Sequence, residues 1–192
     1  NTGTITVGRG GYGIGNDSTG TITSLTNLGT ITAGNANVFT SAGINNFGTI
    51  ATLLNSGTIS LGESSSTRAA IGINNSGFYG YGNIANLTNS GTISVGVAGS
   101  GIENHSGGTI TSLINSGAIT VGDESIHFFG AGIYNEANVT DLINSGTITV
   151  GVGGAGIYNE VNVTIQSLTN SGTISAGVGG TGIHNSGTIS TL

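Results

Sequence analysis

One phrase recurs along this chain and fixes what it can fold into. Asn-Ser-Gly-Thr-Ile, with small variations, begins at Asn1, Asn27, Asn55, Asn89, Asn115, Asn144 and Asn170, at intervals of 26, 28, 34, 26, 29 and 26 residues. Self-similarity at such a period means that each unit is one small element that buries its apolar side only against its neighbours. A second phrase, Gly-Ile-x-Asn, places isoleucine at 14, 44, 73, 102, 133, 157 and 183. A third puts Ile or Val three residues before Leu, as in Ile22 and Leu25 or Val139 and Leu142.

The third-phrase residue precedes the next first-phrase isoleucine by 9 residues in every unit, as from Ile22 to Ile31. The other two connections vary, from 9 to 14 and from 6 to 11 residues, so length differences are confined to loops at two edges of the unit. Each beat is a short Thr-Ile-Thr or Thr-Ile-Ser run whose central residue points in and whose hydroxyl neighbours point out, the pattern of a strand with one face buried. No window carries the i, i+3, i+4 pattern of an amphipathic helix. The reading is all-β: a single right-handed parallel β-helix over residues 1–192, about seven coils of three short strands each. The hand is taken from the general chirality of parallel crossovers. A flatter solenoid with two coils per unit is the alternative.

Composition then narrows the function. Lys and Arg total 2, which is too few to neutralise phosphates, so nucleic acid is excluded as a partner. No apolar run approaches the length of a membrane helix, so no membrane insertion of this segment is expected. Cysteine is absent, which removes disulfides, thiolate metal sites and Cys nucleophiles. The 38 glycines and the absence of proline suggest low complexity, yet the regular apolar beats are what disordered chains lack. Two asparagine columns, one from Asn27 to Asn170 and one from Asn16 to Asn185, are read as hydrogen-bonded stacks at tight corners where Asn tolerates left-handed backbone. The functional alternative is a row that coordinates cations or binds sugar. The chain opens on a complete phrase and ends without a polar or helical cap, so the segment is expected to be part of a longer array and to associate head to tail through its end strands.

The Asn-Ser-Gly-Thr-Ile phrase with its Gly-Ile-x-Asn partner resembles the repeats of bacterial autotransporter passenger domains and large surface adhesins, over essentially the whole chain. The resemblance implies an extracellular or cell-surface location, and a host or sister-cell surface, glycan or protein, as partner.

Parallel β-helices also carry polysaccharide lyases and hydrolases, chemistry that needs convergent carboxylates. Stacking the repeats brings Glu136 and Glu160 to equivalent positions in adjacent coils with His105 one coil before. Glu103, Tyr134, Tyr158 and His184 form a second column beside them. Lys and Arg to stabilise a developing anion are missing there, so no catalytic residue and no cofactor is expected. No metal site is expected either; the candidates, should a Ca²⁺ ion be held, are Glu136 and Glu160.

The first strand presents outward hydroxyls on every coil: Thr4, Thr6, Thr30, Thr32, Thr58, Thr92, Thr120, Thr147, Thr149 and Thr173, with serines at three further positions and Ala118 at one. A regular, uncharged threonine array of this kind suits an ice-binding face, the alternative function. Loops that depart from the repeat carry Phe78, Tyr79, Tyr81, Phe128 and Phe129, aromatic candidates for binding. The leading expectation is a non-enzymatic extracellular structural and adhesive segment that projects length and presents loops.

Overall fold

The computed structural model describes residues 1–36, 39–65, 69–77, 82–124 and 130–192, and among them all regular structure is β. Three seven-stranded sheets run the length of the molecule, and successive strands of one sheet come from successive repeats. The fourth coil shows the plan, with Thr92–Val95 on the first face, Ser100–Asn104 on the second and Thr109–Asn115 on the third. Every strand pairing is parallel and joins equivalent positions of neighbouring repeats. Ile93 lies between Ile59 and Ile119, Ile102 between Ile73 and Ile133, and Leu113 between Leu87 and Leu142. One repeat is therefore one three-sided coil, and the two-coil alternative does not hold.

Isoleucine and leucine columns make up most of the apolar interior, joined by a first-face column of Ala33, Leu61, Val95, Val121 and Val150. Ile31, Ile59, Ile93, Ile119 and Ile148 from the first face meet Ile44, Ile73, Ile102 and Ile157 from the second. Ile50, Ile84, Ile110 and Ile165, with Leu53, Leu87, Leu113 and Leu142, close the third side. Each burial contributes about 1.5–3 kcal/mol relative to exposure.

The third-face strands are longer than the expected beats, six or seven residues in all but the last coil. Two inward residues three apart cannot lie on one straight strand, because side chains alternate with period 2. The chain resolves this with a bend. In Thr109–Asn115 the pairing runs through Ile110, skips Thr111 and resumes at Ser112, so Ile110 and Leu113 both reach the core.

The two asparagine columns are continuous hydrogen-bonded ladders. At the end of the third face, amide Nδ2 donates to the next coil's Oδ1 from Asn1 to Asn27, Asn27 to Asn55, Asn55 to Asn89, Asn89 to Asn115, Asn115 to Asn144 and Asn144 to Asn170, at 2.7–2.9 Å. A second ladder closes the second face from Asn16 through Asn46, Asn75, Asn104, Asn135 and Asn159 to Asn185, at 2.8–3.0 Å. Remaining Nδ2 hydrogens reach backbone carbonyls, such as Asn55 to Thr92 and Asn104 to Asn138.

These asparagines differ from the expected corner residues in one respect. None has left-handed backbone: among the described residues the non-glycine positive-φ positions are Ala98 and Asn162. They are strand-end residues pointing inward, and Asn27, Asn55, Asn89, Asn115 and Asn144 are 0% exposed. Buried amides with their hydrogen-bonding capacity consumed within the ladder offer nothing to a cation or a sugar, so the columns are structural.

Glycine follows the same logic. A Cβ at Gly29, Gly57, Gly91, Gly117, Gly146 or Gly172 would sit 2.0–2.1 Å from the carbonyl oxygen of the glycine one coil earlier. The invariant third residue of the Asn-Ser-Gly-Thr-Ile phrase is thus set by coil-to-coil approach, not by left-handed turning.

Replacing Asn89 by Ala leaves the Asn55 amide N–H and the Asn115 carbonyl oxygen buried and unpaired. At about 1–3 kcal/mol for each orphaned group, the variant should lose roughly 2–6 kcal/mol in denaturant unfolding. The exposed Thr147→Ala should stay within about 0.5 kcal/mol.

Candidate functional site

The second face carries two outward columns, and ionisable and aromatic groups gather in them in the fourth to seventh coils, after Asp17 and Phe47 in the first two. Gly-Ile-x-Asn positions its variable residue between two inward ones, so the strand pleat turns that residue outward. The register aligns Asn45, Asn74, Glu103, Tyr134, Tyr158 and His184. The residue after each ladder asparagine forms the neighbouring column. His105, Glu136, Glu160 and Ser186 each donate their backbone N–H to the ladder asparagine carbonyl of the preceding coil, at Asn75, Asn104, Asn135 and Asn159.

Three of these groups converge. His105 Nδ1 is 3.4 Å from a Glu103 carboxylate oxygen and in direct contact with Glu136 Oε2. One ligand atom from each of Glu103, His105 and Glu136 lies within 4.8 Å of the other two. Glu103 is the most enclosed, with a side chain 12% exposed against 34% for His105 and 23% for Glu136.

Their ionisation follows from this enclosure. Burial pushes the Glu103 carboxyl up to about 7, a shift that the positive charge of His105 opposes and that Glu136 reinforces. The hydrogen bond to Glu136 raises the His105 imidazole above its ordinary value against the effect of burial, helped by the charges of Glu103 and Glu136. Burial works to raise Glu136 too. The bond and charge of His105, the Ser106 backbone N–H at 3.3 Å and the Tyr134 hydroxyl outweigh it and hold Glu136 low.

Glu160 belongs to a different contact. The Tyr134 hydroxyl donates to Glu160 Oε2 at 3.2 Å, and burial together with the charges of Glu136 and Glu160 raises the phenol strongly. Glu136 is thus tied to His105, and the Tyr134 hydroxyl stands between the two carboxylates, bonded to Glu160 and also helping to hold Glu136 low.

Tyr134 stacks on Tyr158 with ring centroids 5.2 Å apart, and Tyr158 on His184 at 4.7 Å with planes 3° apart. Because the rings stack along the solenoid axis, Tyr158 has both faces covered by its neighbours. Tyr158 therefore offers no free ring face on which a sugar could stack.

On the first face the hydroxyl array is in register. Thr4, Thr30, Thr58, Thr92, Ala118, Thr147 and Thr173 form one column, and Thr6, Thr32, Ser60, Ser94, Thr120, Thr149 and Ser175 the other. Thr4, Thr6, Thr92, Thr120, Thr147, Thr149 and Thr173 are exposed, while Thr30, Thr32 and Thr58 are half-buried. The loop aromatics Phe78, Tyr79, Tyr81, Phe128 and Phe129 lie outside the described residues.

Sequence reasoning aligned both second-face columns but missed that Glu103 and His105, two apart on one strand face, close on Glu136 of the next coil. The signal was present, since residues i and i+2 of a strand share a side. Fold and site together define a three-sided parallel β-solenoid with an isolated ionisable cluster on one face. Comparison with protein-family models, with curated proteins and with solved structures found no match.

The cluster makes stability depend on pH. Glu103 binds a proton more tightly in the folded chain than its ordinary 4.5, so its stabilising contribution is complete below about 4.5 and is lost as pH rises to about 7 and beyond. His105 acts in the same direction, with stability present below its ordinary 6.5 and lost as pH rises through its raised folded value. Glu136 acts oppositely, losing its contribution only as pH falls below the ordinary carboxylate range. In a chelating buffer the unfolding midpoint should therefore be higher at pH 5 than at pH 8, and Glu103→Gln should remove most of the difference. An unchanged pH dependence in that variant would show that Glu103 is not its source.

Proposed function

We propose that this chain is a non-enzymatic, extracellular segment of a bacterial surface protein that projects length and presents loops for adhesion or aggregation. The observation that carries the reading is the one-to-one register of all three sheets. Each repeat adds a coil, each coil adds about 4.8 Å of length, and the repeat sequence is used up in building that rod. The repeat resemblance to autotransporter passengers and surface adhesins supports the location. Length variation in the two connections flanking the second face supports the presentation of loops at its edges.

The adhesive part is tested by coating beads with the chain and measuring their binding to host cells, to extracellular matrix and to bacteria displaying the same chain. Replacing residues 78–81 and 123–129 by short Gly-Ser connections should reduce binding to at least one of these surfaces. Binding that is unchanged in both variants would leave the loops as packing, and binding absent from the parent chain would leave only the length-building role.

One observation favours a second reading, ice binding. The first face is an array of ten threonines and three serines in two aligned columns without a charged side chain, eight of them exposed and five half-buried. Spacings of roughly 6.7 Å along the strand and 4.8 Å between coils present a regular hydroxyl lattice. Ice crystals grown in millimolar protein should be faceted under this reading, and Thr149→Lys, which inserts a charge into the lattice, should abolish the faceting. Ordinary disc growth with the parent chain eliminates it.

A further inference from the structure

We propose that Glu103, His105 and Glu136 form a binding site for a single first-row transition-metal dication of the Zn²⁺ class, which pins the fourth coil to the fifth. Three observations on the molecule carry the assignment.

The first is the donor set and its geometry. One imidazole nitrogen and two carboxylate oxygens, each within 4.8 Å of the others, can converge on one ion, with solvent free to complete a four-coordinate shell. His105 Nδ1 is the atom turned toward both carboxylates, and it is a nitrogen capable of binding metal.

The second is charge. Glu103 is largely enclosed, and the cationic partner that the structure gives it is His105, which it shares with Glu136. With both carboxylates ionised, the site carries a net negative charge even when the imidazole is protonated. The chain has only two basic residues besides histidine, of which Arg9 lies on the first coil. A divalent cation that displaces the protons held by these groups balances both carboxylate charges and leaves the enclosed site neutral.

The third is the departure from the repeat. In the coil before, the equivalent positions are Asn74 and Ser76; in the coil after Glu136, the paired positions are Tyr158 and Glu160. Ligating side chains occupy both columns of one coil, and the facing position of the next, only where His105 stands over Glu136. A repeat that elsewhere copies itself has placed three ligating groups at one spot.

The ligand chemistry also selects the ion. Imidazole is a poor partner for Ca²⁺, which takes six to eight oxygens, whereas mixed nitrogen and carboxylate donors suit Zn²⁺ and its neighbours. This moves the metal candidates from the Glu136 and Glu160 pair to Glu136 with His105 and Glu103. Because Glu103 and His105 come from one coil and Glu136 from the next, the bound ion bridges the interface between them. It acts as a crosslink that stabilises the folded chain in proportion to its occupancy.

The test is calorimetric titration of the chelator-stripped chain with ZnCl₂. One equivalent should bind and the thermal unfolding midpoint should rise with zinc concentration. His105→Ala and Glu136→Gln should each weaken binding about tenfold or more, since even outer-shell changes at metal sites cost 10–100-fold. Glu160→Gln, on the neighbouring coil and bonded to Tyr134, should bind as the parent does. Absence of saturable one-to-one binding, or retention of parental affinity in His105→Ala, overturns the proposal. A second measurement needs no variant: one equivalent of Co²⁺ should give visible ligand-field absorption that one equivalent of Zn²⁺ removes, and a spectrum identical to aqueous Co²⁺ overturns the proposal equally.

Discussion

The hydrogen bonds that run along the solenoid axis are the interaction on which everything else depends. Strand pairing supplies them at the backbone, and the two asparagine ladders supply them at the side chains, donor to acceptor from Asn1 to Asn170 and from Asn16 to Asn185. A buried amide is costly unless paired, so each asparagine is tolerated inside only because its neighbours are asparagines in the same register. A slip of one residue would unpair both ladders and turn the isoleucine columns outward together. The ladders therefore specify register as well as contribute stability.

That requirement explains the composition. Coils must approach to strand-pairing distance at the corners, where a Cβ on Gly91 or Gly117 would collide with the carbonyl one coil earlier. Proline would remove a donor from the axial ladder. Like charges in a stacked column lie opposite one another in adjacent strands and repel, and the chain keeps charged residues to 5%. In the fifth and sixth coils of the second face, Glu136 is held by His105 and Glu160 by the Tyr134 hydroxyl.

Much of this was legible in the sequence because the repeat copies contacts as well as residues. Stacking the phrases is enough to place Ile93 on Ile59, Asn89 beside Asn55, and Tyr134 beside Tyr158. What periodicity does not carry is the path of the chain within a coil. The bend that lets Ile110 and Leu113 share the interior, and the inward direction of the ladder asparagines, depend on where the strand pleat breaks. The convergence of Glu103 and His105 on Glu136 was equally hidden. It combines a neighbour along the strand with a neighbour across coils, and alignment of columns shows only the second.

The same axial regularity separates the three faces by what each can do. On the first, every coil repeats a short hydroxyl-bearing strand, so the surface is uniform and any property it has belongs to the lattice rather than to one residue. The third is equally repetitive, and its neutral columns are broken only by Asp141. The second face is where the repeat leaves a position free, the x of Gly-Ile-x-Asn and the residue after it, and both flanking connections vary in length. Chemical individuality can accumulate there without disturbing the ladders, because a side chain that points outward from that strand touches neither the isoleucine core nor the asparagine stack. The enclosed carboxylate, the imidazole and the stacked tyrosines all lie on this face, which makes it the part of the rod where binding specificity is compatible with an otherwise repeating structure.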